Sequence, residues 1–173
     1  MRVFMTSIFL NPATQNSQFI NKKLAPQTRM TDTYVELQEL PVMRVKADMK
    51  GKGPAEAMQI LESKLPSLKG RKFYGTFREL PDDEEYYACV AQIKTDDPRK
   101  MQLESGVIPG GMYARRKVLD WEKIIREGKL PALFSEFARA HDIDPNRPSI
   151  EFYRSQVELQ LLVPVRSTSA SPS

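Results

Sequence analysis

The sequence predicts an α+β protein built from duplicated β-α-β-β units, with an antiparallel sheet, helices on one face and a ligand cleft between the halves. Three observations predict it. The patterned part of the chain runs strand, helix, strand, strand and then repeats that order. Pro41 and Pro109 interrupt the opening strand of each half at matching places. The chain closes on two β-rich runs separated by a short polar gap, as a hairpin does. Two such units side by side make a pseudo-twofold body with a groove where their sheets meet, and repeat interfaces favour small-molecule pockets.

The elements follow in order. Tyr34 to Val45 reads as a strand, a kink at Pro41 and a continuing strand. The loop Gly51-Lys-Gly-Pro54 precedes a helix over Ala55 to Leu65, where Met58, Leu61 and Leu65 recur at helical spacing and Pro54 suits the first turn. Strands over Lys72–Phe77 and Glu85–Ile93 flank the polar loop Leu80-Pro-Asp-Asp-Glu84. In the second half Met101 to Arg115 again runs strand, proline, strand. A short helix over Trp121–Arg126 ends at Gly128. From about Pro131 a second helix carries Leu130, Leu133, Phe134, Phe137 and Ala138 at i, i+3, i+4, i+7 and i+8. The closing hairpin pairs Arg147–Tyr153 with Val157–Val165.

Alternation divides the first arm of that hairpin. Ile150 and Phe152 point to one face, Glu151 and Tyr153 to the other. With the Ile/Phe face packed on helices, a carboxylate and a phenol stand together on the face away from them, which then supplies the cleft walls. That pair suits an organic cation, through Coulombic attraction and contact with the negative face of the ring.

Composition excludes several classes. With 173 residues, 40% hydrophobic and 28% charged, the chain is an ordinary globular domain with tails. Its net charge of +4 resides in residues 1–31, which hold Arg2, Lys22, Lys23 and Arg29 and no acid. The remainder is neutral and carries no electrostatic footprint for a phosphate backbone, so direct DNA binding is not expected. Arg115-Arg-Lys117 reads as a solvated strand end. Cys89 and His141 are the only residues of their types, so no intramolecular disulfide and no His/Cys zinc set can form; no metal or other cofactor is expected. Asp82-Asp-Glu-Glu85 reads as a polar turn rather than a carboxylate metal site. Cys89 reads as a buried small hydrophobe, and His141 as a helix-end residue in a capping or dipole role. The apolar opening Met1–Leu10 is too short and interrupted to span a membrane and lacks a leader cleavage site, so a reduced, cytoplasmic protein is expected. Residues 1–32 and 166–173 read as flexible tails around a domain over 33–165, with Met30 as a possible alternative start.

Five motifs in one order carry a family resemblance: Phe73-Tyr-Gly75, Tyr86-Tyr-Ala-Cys-Val90, Ile108-Pro-Gly-Gly-Met-Tyr-Ala114, Pro148-Ser-Ile-Glu-Phe-Tyr153 and Leu161-Leu-Val-Pro-Val165. Over residues 33–165 the chain resembles the GyrI-like small-molecule-binding domains, the effector-binding part of AraC-type and BmrR-type activators. The resemblance implies a duplicated β-α-β-β unit with a ligand cleft between its halves. In multidrug-sensing relatives a buried Glu in the matching hairpin strand pairs with lipophilic cations amid aromatic walls; Glu151 stands at that position. Tyr74, Tyr113 and Tyr153 are wall candidates, joined by Tyr86 or Tyr87, which alternation sends to opposite faces. Many relatives carry a short His/Gly loop after the tyrosine strand, where this chain has Ala114-Arg-Arg-Lys-Val-Leu-Asp-Trp121. The 32 residues before the domain are too few for a helix-turn-helix, which implies a stand-alone sensor.

Three functions compete on these residues. The first is capture of an amphipathic, cationic or aromatic small molecule with Glu151 as charge partner. The second is hydrolysis of reactive electrophiles, with Glu151 as general base and Tyr113 as proton donor. The third, by analogy with the family's namesake, is binding to a protein partner such as DNA gyrase or a regulator. Gly51-Lys-Gly-Pro54 matches neither common phosphate motif.

Overall fold

The computed structural model describes residues 32–166; the expected tails over 1–32 and 166–173 lie outside the described residues except for Asp32 and Arg166, and so does the alternative start at Met30. The first half comprises β1 (Thr33–Leu37), β2 (Leu40–Lys46), α1 (Gly53–Lys64), β3 (Phe73–Leu80) and β4 (Asp83–Ala91). The second comprises β5 (Glu104–Ile108), β6 (Gly111–Leu119), α2 (Trp121–Arg126), α3 (Leu130–Arg139), β7 (Ser149–Tyr153) and β8 (Glu158–Pro164). The α+β class, the duplicated order and the antiparallel pairing are as the sequence predicts.

All the strands form one eight-stranded sheet in the order β1-β6-β8-β7-β3-β4-β2-β5. Each half donates its first strand to the other: β1 pairs with β6, and β5 with β2. The breaks before Pro41 and at Pro109-Gly110 are therefore more than kinks in a continuing strand. They are where the chain crosses from one half-sheet to the other, and one register persists across the crossing, from Thr33 opposite Arg115 to Arg44 opposite Glu104. The halves meet at β3 and β7, which pair from Phe73–Tyr153 to Phe77–Ser149.

Both faces of this sheet are buried. On one face α1 packs over β2 and β4, and α3 over β8. Beneath α1 lie Met43, Ala88 and Val90 with Met58 and Leu61; beneath α2 and α3 lie Ala114, Leu159, Leu161 and Val163 with Trp121 and Phe137. The third cluster contains no helix residue: Val42, Cys89, Ile108, Tyr113, Ile150 and Leu162 pack with Tyr74, Tyr87 and Phe152. There the curled sheet covers itself, and β8, apolar at successive positions, is buried on both sides.

That self-covered face corrects the expectation about sidedness. Ile150 and Phe152 belong to the helix-free cluster, so Glu151 and Tyr153 point to the helix side. Alternation separates the two pairs but does not say which goes to the helices, and both faces here are apolar. Two further readings change. Arg116 is buried, not solvated: it pairs with Asp32 at 2.7 Å and Glu136 at 3.1 Å, and lies over the Phe137 ring. His141 does not cap α3 with its ring, which packs edge-on against Phe137 and sits 3.5 Å from the Asp32 carboxylate.

Candidate functional site

The site begins at the centre of the sheet. The main helix packing falls on β2, β4 and β8, so the central pair β3 and β7 lies between the parts covered by α1 and by the α2–α3 pair. Register sets what stands on that central pair. Glu151 lies opposite Gly75 on β3 and Leu161 on β8; Tyr153 lies opposite Phe73 and Leu159. Tyr86 reaches the same place from β4, where it faces Phe77.

Two phenols close on one carboxylate oxygen. Tyr86 Oη and Tyr153 Oη each donate to Glu151 Oε2 at 2.8 Å, and neither touches Oε1. Tyr86 is buried, whereas Glu151 and Tyr153 keep partial contact with solvent. Gly75 makes the arrangement possible. A Cβ at that position would collide with Tyr86 Oη and stand 2.6 Å from Glu151 Oε2. Trp121, at the start of α2, meets Tyr153 edge-to-face at 5.3 Å, its indole N–H anchored on the Ser155 carbonyl at 3.0 Å.

Electrostatics follow from burial. Desolvation raises the Glu151 carboxyl above its ordinary range, and the hydrogen bonds from Tyr153 and Tyr86 oppose the rise. Both tyrosines are pushed well above their ordinary values, by burial first and by the neighbouring carboxylate second, so they remain donors. The result is an acidic group that gains from an arriving positive charge, framed by three aromatic rings.

The sequence-predicted site residues divide between the two faces. Glu151, Tyr153 and Tyr86 converge, and Tyr86 rather than Tyr87 is the neighbour on the helix side. Tyr74 and Tyr113 belong to the helix-free cluster. Tyr74 stacks on Phe152 at 4.7 Å, and Tyr113 is fully buried beneath the Arg147 guanidinium with its hydroxyl on the Pro109 carbonyl at 3.2 Å. Tyr113 thus stands across the sheet from Glu151. The physical reason is parity: Tyr113 falls on the opposite alternation phase of β6 from Ala114 and Arg116, which face α3. Sequence reasoning did not assign Gly75 and Trp121 to the site. A glycine inside an aromatic strand, which marks close approach, was the available signal. Among the described residues, no group of three His, Cys, Asp or Glu side chains could hold a metal ion, and no helix is long and apolar enough to cross a membrane.

No family model matches the sequence, and no curated relative does either. Solved structures match by shape. An integron cassette protein from Vibrio cholerae superposes with a TM-score of 0.58 at 14% identity, over 78% of this chain and 95% of that one. The C-terminal domain of EcmrR gives 0.52 at 10% identity, over 80% and 99% respectively. A hydrolase from Listeria innocua gives 0.50 at 11% identity, over 79% and 92%. The element order, the exchanged first strands and these neighbours define a GyrI-like fold.

Proposed function

We propose that the protein binds amphipathic organic cations in the groove between its halves, with Glu151 as charge partner and Tyr86, Tyr153 and Trp121 as aromatic wall. The observation that carries this reading is the Glu151 carboxylate, one oxygen held by two phenols and, among the described residues, no basic side chain bonded to it. A carboxylate whose ionisation burial disfavours is stabilised by a cation that brings its own apolar surface. The two phenols reduce the desolvation cost of the empty state and fix the carboxylate's orientation.

Tetraphenylphosphonium and tetraphenylborate test the reading, because they share shape and apolar area and differ in sign. Binding is followed through the fluorescence of Trp121, the single tryptophan. The phosphonium is expected to bind and the borate not, and Glu151→Gln is expected to weaken the phosphonium by roughly tenfold or more, ~1.4 kcal/mol. Equal affinity for both ions, or an unchanged Glu151→Gln, would overturn it. Affinity for the phosphonium should also rise with pH through the elevated Glu151 value, since the ionised form is the one that binds.

The same trio favours a second reading, hydrolysis of electrophiles, with Glu151 as general base and Tyr86 or Tyr153 in place of Tyr113 as the proton donor. A raised carboxyl value and adjacent protonated phenols suit that chemistry. Turnover of a strained or activated electrophile that disappears in both Glu151→Gln and Tyr153→Phe would select it over binding alone.

A further inference from the structure

The reverse face of β3 carries a second constellation, independent of the groove. Where the β5–β6 bend curls over β2, β3 and β4, a cavity of about 80 Å³ is lined by Arg44, Thr76, Arg78, Glu85, Tyr87 and Cys89, among others. That is room for roughly five to eight water-sized positions, at ~10–15 Å³ each on this measure. The walls have more donors than acceptors. Arg44 is matched: its Nε donates to Glu104 at 3.0 Å, and its guanidinium lies 4.0 Å from the Tyr87 ring centre. Gly106 makes room for it, since a Cβ there would stand 2.6 Å from Arg44 Cδ. Glu85 is engaged as well, by Lys46 at 3.5 Å and by the Tyr87 hydroxyl at 3.3 Å.

Arg78 is different. Its Nη2 donates to the Asn146 carbonyl at 3.0 Å, yet its Nε is buried with no partner. Among the described residues no carboxylate pairs with it, although Glu85 lies opposite in the register. Two positions back on the same side of β3, the Thr76 hydroxyl has the Cys89 sulfur at 4.0 Å as its contact. Cys89 adds no negative charge, because burial pushes its thiol up to about 12. A guanidinium with no carboxylate partner, a buried N–H without an acceptor and the Thr76 hydroxyl thus lie together at this cavity, with Glu85 the one carboxylate in its wall, and a buried donor left unpaired is costly.

We propose that this cavity is a binding site for a small oxyanion, a carboxylate or phosphate group held by Arg78 and Thr76 with Arg44 on the opposite wall. A guanidinium offering Nε meets such a group with directed, charge-assisted hydrogen bonds. The dimensions admit a group of four or five heavy atoms.

The test titrates the full chain with inorganic phosphate and, separately, acetate, at ionic strength held constant with chloride, while the Arg78 Nε–H resonance is followed by NMR. A saturable shift at millimolar concentration is expected with at least one of them; phosphate alone would assign a tetrahedral group, acetate alone a planar one. Arg78→Gln and Thr76→Val should each weaken the thermal stabilisation by the same anion, Arg78→Gln by tenfold or more in apparent Kd. Glu151→Gln should leave the anion response unchanged, which separates this site from the groove. A shift no larger than chloride produces, or full stabilisation persisting in Arg78→Gln, would overturn the proposal. Because the resonance is read in the unmodified protein, a variant that fails to fold leaves the result decisive.

Discussion

The two faces of the β3–β7 pair are made from the same kinds of residue and perform opposite tasks. On the helix-free face, Tyr74 and Phe152 stack and Tyr113 is sealed under Arg147, so aromatic surface fills space. On the helix face, Tyr86 and Tyr153 turn their hydroxyls onto a carboxylate, and Gly75 leaves room for the Tyr86 hydroxyl and that carboxylate to meet. The difference lies in what covers each face. The sheet that curls onto itself packs rings at its centre and keeps its small cavity near the β5–β6 bend, whereas on the other face α1 and the α2–α3 pair cover separate parts of the sheet. A residue's role is therefore set by which cover it falls under, not by its type.

Substitutions that exchange the two roles test this contrast. The largest effect is expected for Tyr113→Ala, which empties a fully buried position: about 3–5 kcal/mol lost in a urea titration, with cation binding reduced only through unfolding. A loss under ~1 kcal/mol would show that the helix-free face is not a packed core. Gly75→Ala comes next. Its Cβ needs the place of Tyr86 Oη and crowds Glu151, which predicts ~1–3 kcal/mol of destabilisation and a loss of phosphonium binding larger than stability explains. Unchanged binding would mean that the Tyr86–Glu151 arrangement over Gly75 does not hold the ligand.

A smaller effect, and a pH-dependent one, belongs to Glu151→Gln. Burial raises the folded carboxyl above 4.5, so the folded chain keeps its proton to higher pH than the unfolded chain does. Wild-type stability should then fall as pH rises from about 4.5 through the elevated value, while the Gln variant does not share the fall. Urea titrations at pH 4 and pH 8 should show the ligand-free variant gaining on wild type at the higher pH. An identical difference at both would mean the carboxyl titrates normally. The smallest effect is expected for Tyr74→Phe, whose ring stacks on Phe152 and whose hydroxyl has no recorded partner among the described residues: within ~0.5 kcal/mol, and no change in cation affinity.

Much of this was legible in the chain. The element order, Pro41 and Pro109 as matched interruptions and the apolar stripe of α3 follow from local propensity and periodicity, which neighbouring residues determine among themselves. Glu151 and Tyr153 sharing a face follows from the two-residue period of a strand. Sorting Tyr86 from Tyr87 and setting Tyr74 and Tyr113 apart from Glu151 did not follow. Neither did the burial of Arg116, which needs Asp32 and Glu136 from distant parts of the chain.

By itself, the sequence determined which side chains alternate, where strands break and where helices begin, since each is a matter of a few adjacent residues. Tertiary structure alone decided which face of the sheet the helices cover, that each half lends its first strand to the other, and that Tyr86, Glu151 and Tyr153 converge over β3 and β7. Those outcomes depend on how two apolar faces are shared between helices and the sheet's own curl. Parity along a strand is blind to that choice, because both faces offer it equally apolar surface to bury.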